Sequence, residues 1–125
     1  MTDGTQQMVL TGHTELVTSR AFSPDGTVLA TTSEDRTVRL WRITDGTLLV
    51  ALTHTNWVNG CAFAPDGTLL ATTSEGIVRL WQVATQRCHC ALRIGHALAG
   101  IAWHPNGTTL CAVGGAGVHL LTYVP

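Results

Sequence analysis

Val28-Leu-Ala-Thr-Thr-Ser-Glu34 recurs almost unchanged as Leu69-Leu-Ala-Thr-Thr-Ser-Glu75, and Val38-Arg-Leu-Trp41 recurs as Val78-Arg-Leu-Trp81. A third stretch, Ala21-Phe-Ser-Pro-Asp-Gly-Thr27, returns as Ala62-Phe-Ala-Pro-Asp-Gly-Thr68 and more loosely as Ala102-Trp-His-Pro-Asn-Gly-Thr108. The turn prolines at 24, 65 and 105 set a period of about 41 residues. Because a fixed period decides the architecture, the chain is read first as three copies of one unit.

Each unit predicts short strands separated by turns. Pro-Asp-Gly and Pro-Asn-Gly favour tight turns, since proline fixes φ and glycine tolerates a positive φ. The runs Leu29–Ser33 and Thr37–Trp41 are rich in β-forming residues, and Glu34-Asp35-Arg36 between them suits a hairpin. No stretch carries sustained helical periodicity with caps. The sequence therefore predicts an all-β fold.

Composition narrows the function classes. Charged residues make up 12% of the 125 residues, against roughly 25% in typical proteins. A net charge of −1 offers no basic footprint for nucleic acid, and no apolar run approaches the ~20 residues that span a bilayer. Residues 1–7 show no secretory signal, so a cytoplasmic location is expected. The four cysteines lack paired-ligand spacing, so no metal or other cofactor is expected.

The repeats resemble the WD40 family. The first repeat carries Gly12-His13, the Ala21–Gly26 turn, Ser33, Asp35 and Trp41, although Trp41-Arg42 replaces the usual Trp-Asp. The resemblance implies a partial β-propeller of three blades, each a four-stranded antiparallel sheet. The expected divisions are a polar tail at 1–5, an offset outer strand at 6–10, repeats at 11–52 and 53–92, and a degenerate third repeat at 93–125 lacking its outer strand.

The resemblance also implies a buried hydrogen-bond relay. In the first repeat Asp35 would orient His13, His13 would meet Ser33, and Ser33 would meet the ring N–H of Trp41. In the second repeat His54, Ser74 and Trp81 remain, but no Asp follows Glu75. The same His, Ser and Asp could form a hydrolase triad, since triads are recognised by geometry. The relay is the preferred interpretation, because Trp41 stands at its last position and a triad would not need it, so no catalytic residue is expected.

The relay decays in the third repeat. Gly114 stands at the serine position and Leu121 at the tryptophan position. Gly95-His96 lies closer to its turn proline than the corresponding pairs do, so His96 is not expected to join a relay. We therefore expect His13→Ala to destabilise the fold by about 1–3 kcal/mol and His96→Ala to be nearly neutral.

A cysteine-histidine stretch, one arginine and three loop residues each have a structural and a functional interpretation. Cys88-His89-Cys90 suggests a metal site, but alternation along a strand would turn His89 away from both sulfurs, so an outer strand is preferred. Arg20 matches Cys61 and Ile101 in the other repeats, so it either extends to solvent at the rim of the first blade or contacts another chain. Trp57, Glu15 and Arg36 fall in loops that the resemblance associates with partner binding, and tryptophan and arginine are enriched in binding hot spots.

Three blades do not close a ring, since propellers typically have about 4–8. The offset strand of one copy could complete the last blade of another, which favours a closed homo-oligomer of six or nine blades. A partner chain supplying the missing blades is the alternative. The expected function is a non-enzymatic scaffold that binds a protein or peptide. The alternative is a set of C-terminal sensor or regulatory blades split from a larger multidomain signalling protein, such as a STAND-type ATPase.

Overall fold

Eleven short antiparallel strands build the fold, in a computed structural model that describes residues 8–95, 97–115 and 117–124. The prediction of an all-β fold of three WD40-type sheets is confirmed, and no helix among these residues is long and apolar enough to cross a membrane. The strands are β1 (Val17–Phe22), β2 (Val28–Ser33), β3 (Thr37–Arg42), β4 (Leu48–Thr53), β5 (Val58–Phe63), β6 (Leu69–Ser74), β7 (Ile77–Gln82), β8 (Arg87–Arg93), β9 (Leu98–Trp103), β10 (Thr109–Gly114) and β11 (Gly117–Thr122).

The strands form three sheets in chain order. The first sheet is β1-β2-β3-β4 and the second is β5-β6-β7-β8. The third is three-stranded, with the order β11-β10-β9, and β11 has no second neighbour among the described residues. The outer strands β4 and β8 end at Thr53 and Arg93, one residue beyond the repeat boundaries expected from the sequence.

The Pro-Asp-Gly motifs turn the chain between the first two strands of each sheet. Asp25 accepts hydrogen bonds from the Ser23 hydroxyl and from the backbone N–H and hydroxyl of Thr27. Gly26 takes a φ of 76°, in the left-handed region that glycine enters without strain. The equivalent glycines of the other two sheets have φ values of 78° and 79°, so all three hairpins share one turn geometry.

Adjacent sheets pack face to face. The front side of a sheet is defined as the side toward the following sheet, and the rear side as the side toward the preceding one. The buried cluster between the first and second sheets joins front residues Ala30, Val38 and Leu40 to rear residues Val58, Cys61 and Leu70. The cluster between the second and third sheets joins front residues Ala71, Val78 and Leu80 to rear residues Leu98, Leu110 and Ala112.

Polar contacts fix the position of one sheet on the next. The Thr18 hydroxyl donates to the carbonyl oxygen of Val58 at 2.5 Å, and the Asn59 amide donates to the carbonyl oxygen of Leu98 at 2.5 Å. Thr18 and Asn59 occupy the same bulged position of β1 and β5. The indole N–H of Trp103 also donates to the carbonyl oxygen of Ala62 at 3.0 Å. In both junctions, the side chain at the bulged position of one sheet therefore donates to a backbone carbonyl of the next sheet.

The N-terminal segment differs from the expectation. Residues 1–5 and the first two residues of the strand predicted at 6–10 lie outside the described residues. Met8–Leu10 form no strand in the isolated chain. A strand needs a neighbouring edge to pair with, whereas this segment lies against the β3–β4 turn. A β-carbon on Gly46 would come within 3.0 Å of the Met8 sulfur and of Leu10 Cδ2.

Candidate functional site

A hydrogen-bonded chain runs through the first sheet from Asp35 to Trp41. His13 Nδ1 lies 2.8 Å from Asp35 Oδ2, His13 Nε2 lies 2.6 Å from Thr31 Oγ1, and Trp41 Nε1 lies 2.9 Å from the same Thr31 oxygen. The Asp35 carboxylate can only accept, so a neutral His13 ring carries its proton on Nδ1 and donates it to Asp35. His13 Nε2 then accepts the proton of the Thr31 hydroxyl, and the same Thr31 oxygen accepts from the indole N–H of Trp41.

Hydrogen bonds keep the Asp35 carboxylate ionised. Burial would raise its pKa, but hydrogen bonds from the Thr37 hydroxyl, the His13 ring and the backbone N–H groups of Thr14 and Thr37 hold the pKa well below its usual range. The side chains of His13 and Asp35 are only 7% and 5% exposed. The pair thus lies inside the blade and ties the loop before β1 to the β2–β3 turn.

The second sheet contains a shorter version of the same chain. His54 Nε2 lies 2.9 Å from Thr72 Oγ1, and Trp81 Nε1 donates to that oxygen at 3.0 Å. With no Asp in the turn, His54 Nδ1 instead donates to the carbonyl oxygen of Leu52 at 3.2 Å. The pKa of His54 is lowered to about 4, chiefly by burial; the bond to Leu52 opposes the shift and the charge of Arg79 adds to it.

The prediction that Ser33 and Ser74 belong to the relay is wrong, because Thr31 and Thr72 supply the hydroxyl groups. Ser33 Oγ instead accepts from the backbone N–H of Asp35 at 3.0 Å and donates to the carbonyl of Glu15 at 3.3 Å. The buried Ser74 hydroxyl has no partner among the described residues. The strand register explains the error: Trp41 lies opposite Leu29, two residues from Thr31 but four residues from Ser33. At about 3.3 Å per residue, the indole cannot reach Ser33.

The hydrolase reading has no geometric support in these residues. Ser33 is fully buried, and its hydroxyl bonds to the backbone rather than to His13. A nucleophile must contact its base and reach solvent or a pocket, and Ser33 does neither. His13, Ser33 and Asp35 therefore do not assemble a catalytic triad.

The third sheet replaces the polar chain with apolar contacts. Ala112 stands where Thr31 and Thr72 stand, and Leu121 pairs with Leu110 as Trp81 pairs with Leu70. Ile94 holds the histidine position, because its N–H donates to Gly76 just as the N–H of His54 donates to Arg36. Ile94 and Leu121 both pack into the apolar cluster between the second and third sheets. His96 lies outside the described residues.

The Cys88-His89-Cys90 stretch lies in β8, as the strand interpretation expects. A register shift between Leu80 and Trp81 leaves His89 unpaired opposite β7, so the simple alternation assumed from the sequence does not hold there. The His89 ring lies edge-on to Tyr123 of the third sheet, with a centroid distance of 5.9 Å. Within the described residues no cluster of three or more metal-ligating side chains occurs.

Three of the four predicted partner-binding residues line one groove. Glu15, Arg36 and Trp57 surround a concavity of about 410 Å³ at the loop edge of the first two sheets, together with Thr14, Glu34 and Asp35. Trp57 is 56% exposed, a large fraction for an indole. Arg36 is held at the turn by a left-handed φ of 73° and by the bond from His54 N–H to its carbonyl. Sequence reasoning missed Glu34, whose neighbours Asp35 and Arg36 already marked the turn as polar.

The fourth residue, Arg20, lies elsewhere. It is exposed on the rear side of β1, at the position that Cys61 and Ile101 hold in β5 and β9. Those two side chains face the preceding sheet: Cys61 Sγ lies 4.0 Å from the carbonyl oxygen of Ala30, and Ile101 lies beside Gly60. Burial raises the pKa of the Cys61 thiol to about 12. Arg20 thus belongs to a sheet face and not to the loop groove.

Known proteins carry the same repeats. The family model described as "WD domain, G-beta repeat" matches residues 4–42 and 45–82. Ribosome biogenesis protein BOP1 of Rattus norvegicus is 42% identical over 111 residues, which are 89% of this chain and 10% of that protein. An uncharacterized WD repeat-containing protein of Synechocystis is 43% identical over 40% of this chain and 15% of its own length. Protein Mut11 of Chlamydomonas reinhardtii is 54% identical over 30% of this chain and 10% of its own length.

The chain spans about a tenth of the length of the BOP1 proteins that it matches. The matched regions contain both His-Thr-Trp chains and the strands that carry them. Family models, relatives and sheet geometry agree on one assignment. The chain belongs to the WD40 repeat family.

Proposed function

We propose that this chain is a non-enzymatic scaffold that binds a basic segment of a partner protein in the loop groove lined by Glu15, Glu34, Arg36 and Trp57. The WD repeat family supports a protein-interaction role. The observation that carries the proposal is the exposed Trp57 indole in the same concavity as two carboxylates, Glu15 and Glu34. Function argued from fold alone is analogy, so the groove itself must supply the specificity.

The chemistry of the groove suits a Lys or Arg side chain. A cation over an indole face gains about 0.5–1 kcal/mol at an exposed site, and neighbouring carboxylates add charge attraction. Asp35 is less available than Glu15 and Glu34 for a direct hydrogen bond to the cation, because its carboxylate is already engaged by His13, Thr14 and Thr37. Arg36 is the one positive group among the described residues of the lining, and it would pair with a carboxylate or carbonyl next to the bound cation.

The proposal is tested by titrating ¹⁵N-labelled protein with the peptide acetyl-Gly-Arg-Gly-Lys-Gly-amide and following the four indole N–H signals. We expect the Trp57 signal to shift and saturate, whereas the signals of Trp41, Trp81 and Trp103 stay in place because those side chains are more buried. Glu15→Gln and Glu34→Gln should each weaken binding, and added salt should weaken it further.

The controls separate recognition of positive charge from nonspecific peptide binding. A peptide with Glu in place of Arg and Lys should leave the Trp57 signal unmoved, and Trp57→Ala should bind neither peptide. Equal shifts with the basic and acidic peptides would reject the proposal. The cytoplasmic location stays a prediction from the sequence.

A further inference from the structure

We infer that a second copy of this chain docks head to tail on the first, with the rear side of one copy's first sheet packing on the front side of the other copy's third sheet. This inference does not depend on the loop groove. It comes from a junction that the molecule already builds twice, between its first and second and its second and third sheets.

The rear side of the first sheet carries the residues of a junction but lies open. Val17 is 51% exposed, whereas its equivalents Val58 and Leu98 are 0% and 2% exposed. Phe22 is 64% exposed, whereas the equivalent Phe63 and Trp103 pack against the inter-sheet clusters. An exposed apolar face of this kind marks an interaction surface.

The front side of the third sheet is the complementary half. Cys111 pairs with Leu120 as Ala71 pairs with Leu80 and Ala30 with Leu40. Leu120 is 73% exposed and Val118 is 68% exposed, whereas the equivalent Leu40, Leu80, Val38 and Val78 are all buried. The side chains that fill each internal junction are therefore present on both outer faces.

One residue distinguishes the outer junction from the internal ones. Arg20 replaces Cys61 and Ile101, so it places a charge at a position that is apolar in both internal junctions. At the internal junction Cys61 faces the carbonyl oxygen of Ala30, so Arg20 would face the carbonyl oxygen of Cys111 in the other copy. A single carbonyl oxygen leaves most of the five guanidinium N–H donors unpaired, so burying Arg20 there weakens the contact relative to an aliphatic side chain.

Two copies joined at both ends present six sheets, within the usual range of propeller sizes. A head-to-tail contact that closes gives a finite ring, whereas one that does not close gives an open chain of copies. Three copies would give nine sheets. The solution mass therefore distinguishes these forms.

Reciprocal charge variants test the inference. Phe22→Glu places a charge on the rear face, and Leu120→Glu places one on the front face. Both side chains are exposed, so each variant should keep the fold, and circular dichroism checks this. By sedimentation equilibrium we expect the unmodified chain to associate and each variant alone to be monomeric. An equimolar mixture should regain a complex of two chains, because Phe22→Glu retains an intact front face and Leu120→Glu an intact rear face.

Two further variants sharpen the test. Arg20→Ile reproduces the residue of the second internal junction, and we expect it to strengthen association by about tenfold. Trp57→Ala should leave association unchanged, and Phe22→Glu should leave peptide binding at the loop groove unchanged, so each proposal can fail without the other.

Three results would overturn the inference. An unmodified chain that stays monomeric at high concentration would show that the two outer faces do not bind one another. The faces would then be surfaces for blades of a different chain. Association lost in Phe22→Glu but kept in Leu120→Glu would indicate rear-to-rear pairing. Failure of the mixture to recover a complex would indicate unspecific contact.

Discussion

Thr72 holds two other side chains in place, because its hydroxyl accepts from Trp81 and donates to His54. Thr72→Val keeps the volume but leaves both the indole N–H and His54 Nε2 unpaired in a buried site. We expect a loss of about 1–3 kcal/mol in the free energy of unfolding, measured by urea denaturation.

Ser74→Ala is the matched control, two residues along the same strand. Its buried hydroxyl has no partner among the described residues, so its removal should change the free energy of unfolding by less than about 0.5 kcal/mol or raise it slightly. A larger loss for Ser74→Ala than for Thr72→Val would show that the serine is the relay member after all.

His54 gives the fold a pH dependence. Its pKa falls from 6.5 in the unfolded chain to about 4 in the folded one, so between these values the unfolded chain binds more protons. Its contribution to stability is complete above pH 6.5 and is lost as the pH falls to about 4. The loss is at most about 3–4 kcal/mol, at about 1.4 kcal/mol per unit of pKa. Melting temperatures measured across this range should fall more steeply for the natural chain than for His54→Gln, and parallel curves would contradict the assignment.

His13 differs from His54 because the Asp35 carboxylate, and not a backbone carbonyl, accepts its Nδ1 proton. His13→Ala leaves Asp35 and Thr31 without that partner, and we expect a loss of about 1–3 kcal/mol. His96→Ala should be nearly neutral, because Ile94 holds the corresponding position in the third repeat. Comparable shifts in melting temperature for the two variants would contradict this difference.

The sequence identifies most relay residues but not their hydroxyl. Thr31 and Ser33 point to the same side of β2, since side chains alternate along a strand, so residue type and periodicity do not separate them. The hairpin register separates them, because the turn at 34–36 places Ser33 next to Thr37 and far from Trp41. The hydrogen bond from His54 to the Leu52 carbonyl oxygen could not be predicted from the sequence either. Its acceptor belongs to the backbone, and every residue has a backbone carbonyl.

Of the three sheets, the third is the least firmly held by hydrogen bonds among the described residues. It has no hydroxyl relay, and β11 pairs only with β10 among the described residues. Repeats and turn motifs alone predict its three strands, because the Pro-Asn-Gly turn survives where the relay does not. They do not reveal the exposure of its front side, which depends on what packs beside it.

Amide hydrogen exchange should report this difference. Opening a sheet exposes its backbone N–H groups at a rate set by local stability. We expect the amides of β10 and β11 to exchange faster than those of β6 and β7 in the monomeric Leu120→Glu variant. Equal protection of the two sheets in that variant would show that the apolar cluster at Ile94 and Leu121 replaces the relay fully.

Association between copies of the chain is linked to the stability of each copy. A contact made only by folded chains raises the apparent stability as concentration rises. The melting temperature of the natural chain should therefore increase with protein concentration, whereas that of Phe22→Glu should stay constant. A constant melting temperature for both would place the outer faces outside any contact between copies.

The repeated use of one junction also has a consequence for how such a molecule can lengthen. A tandem duplication of the coding unit would deliver a new first sheet whose Val17 and Phe22 meet Val118 and Leu120 of the old third sheet. The added unit needs no new binding surface, because the front side of the third sheet already carries the residues that contact it.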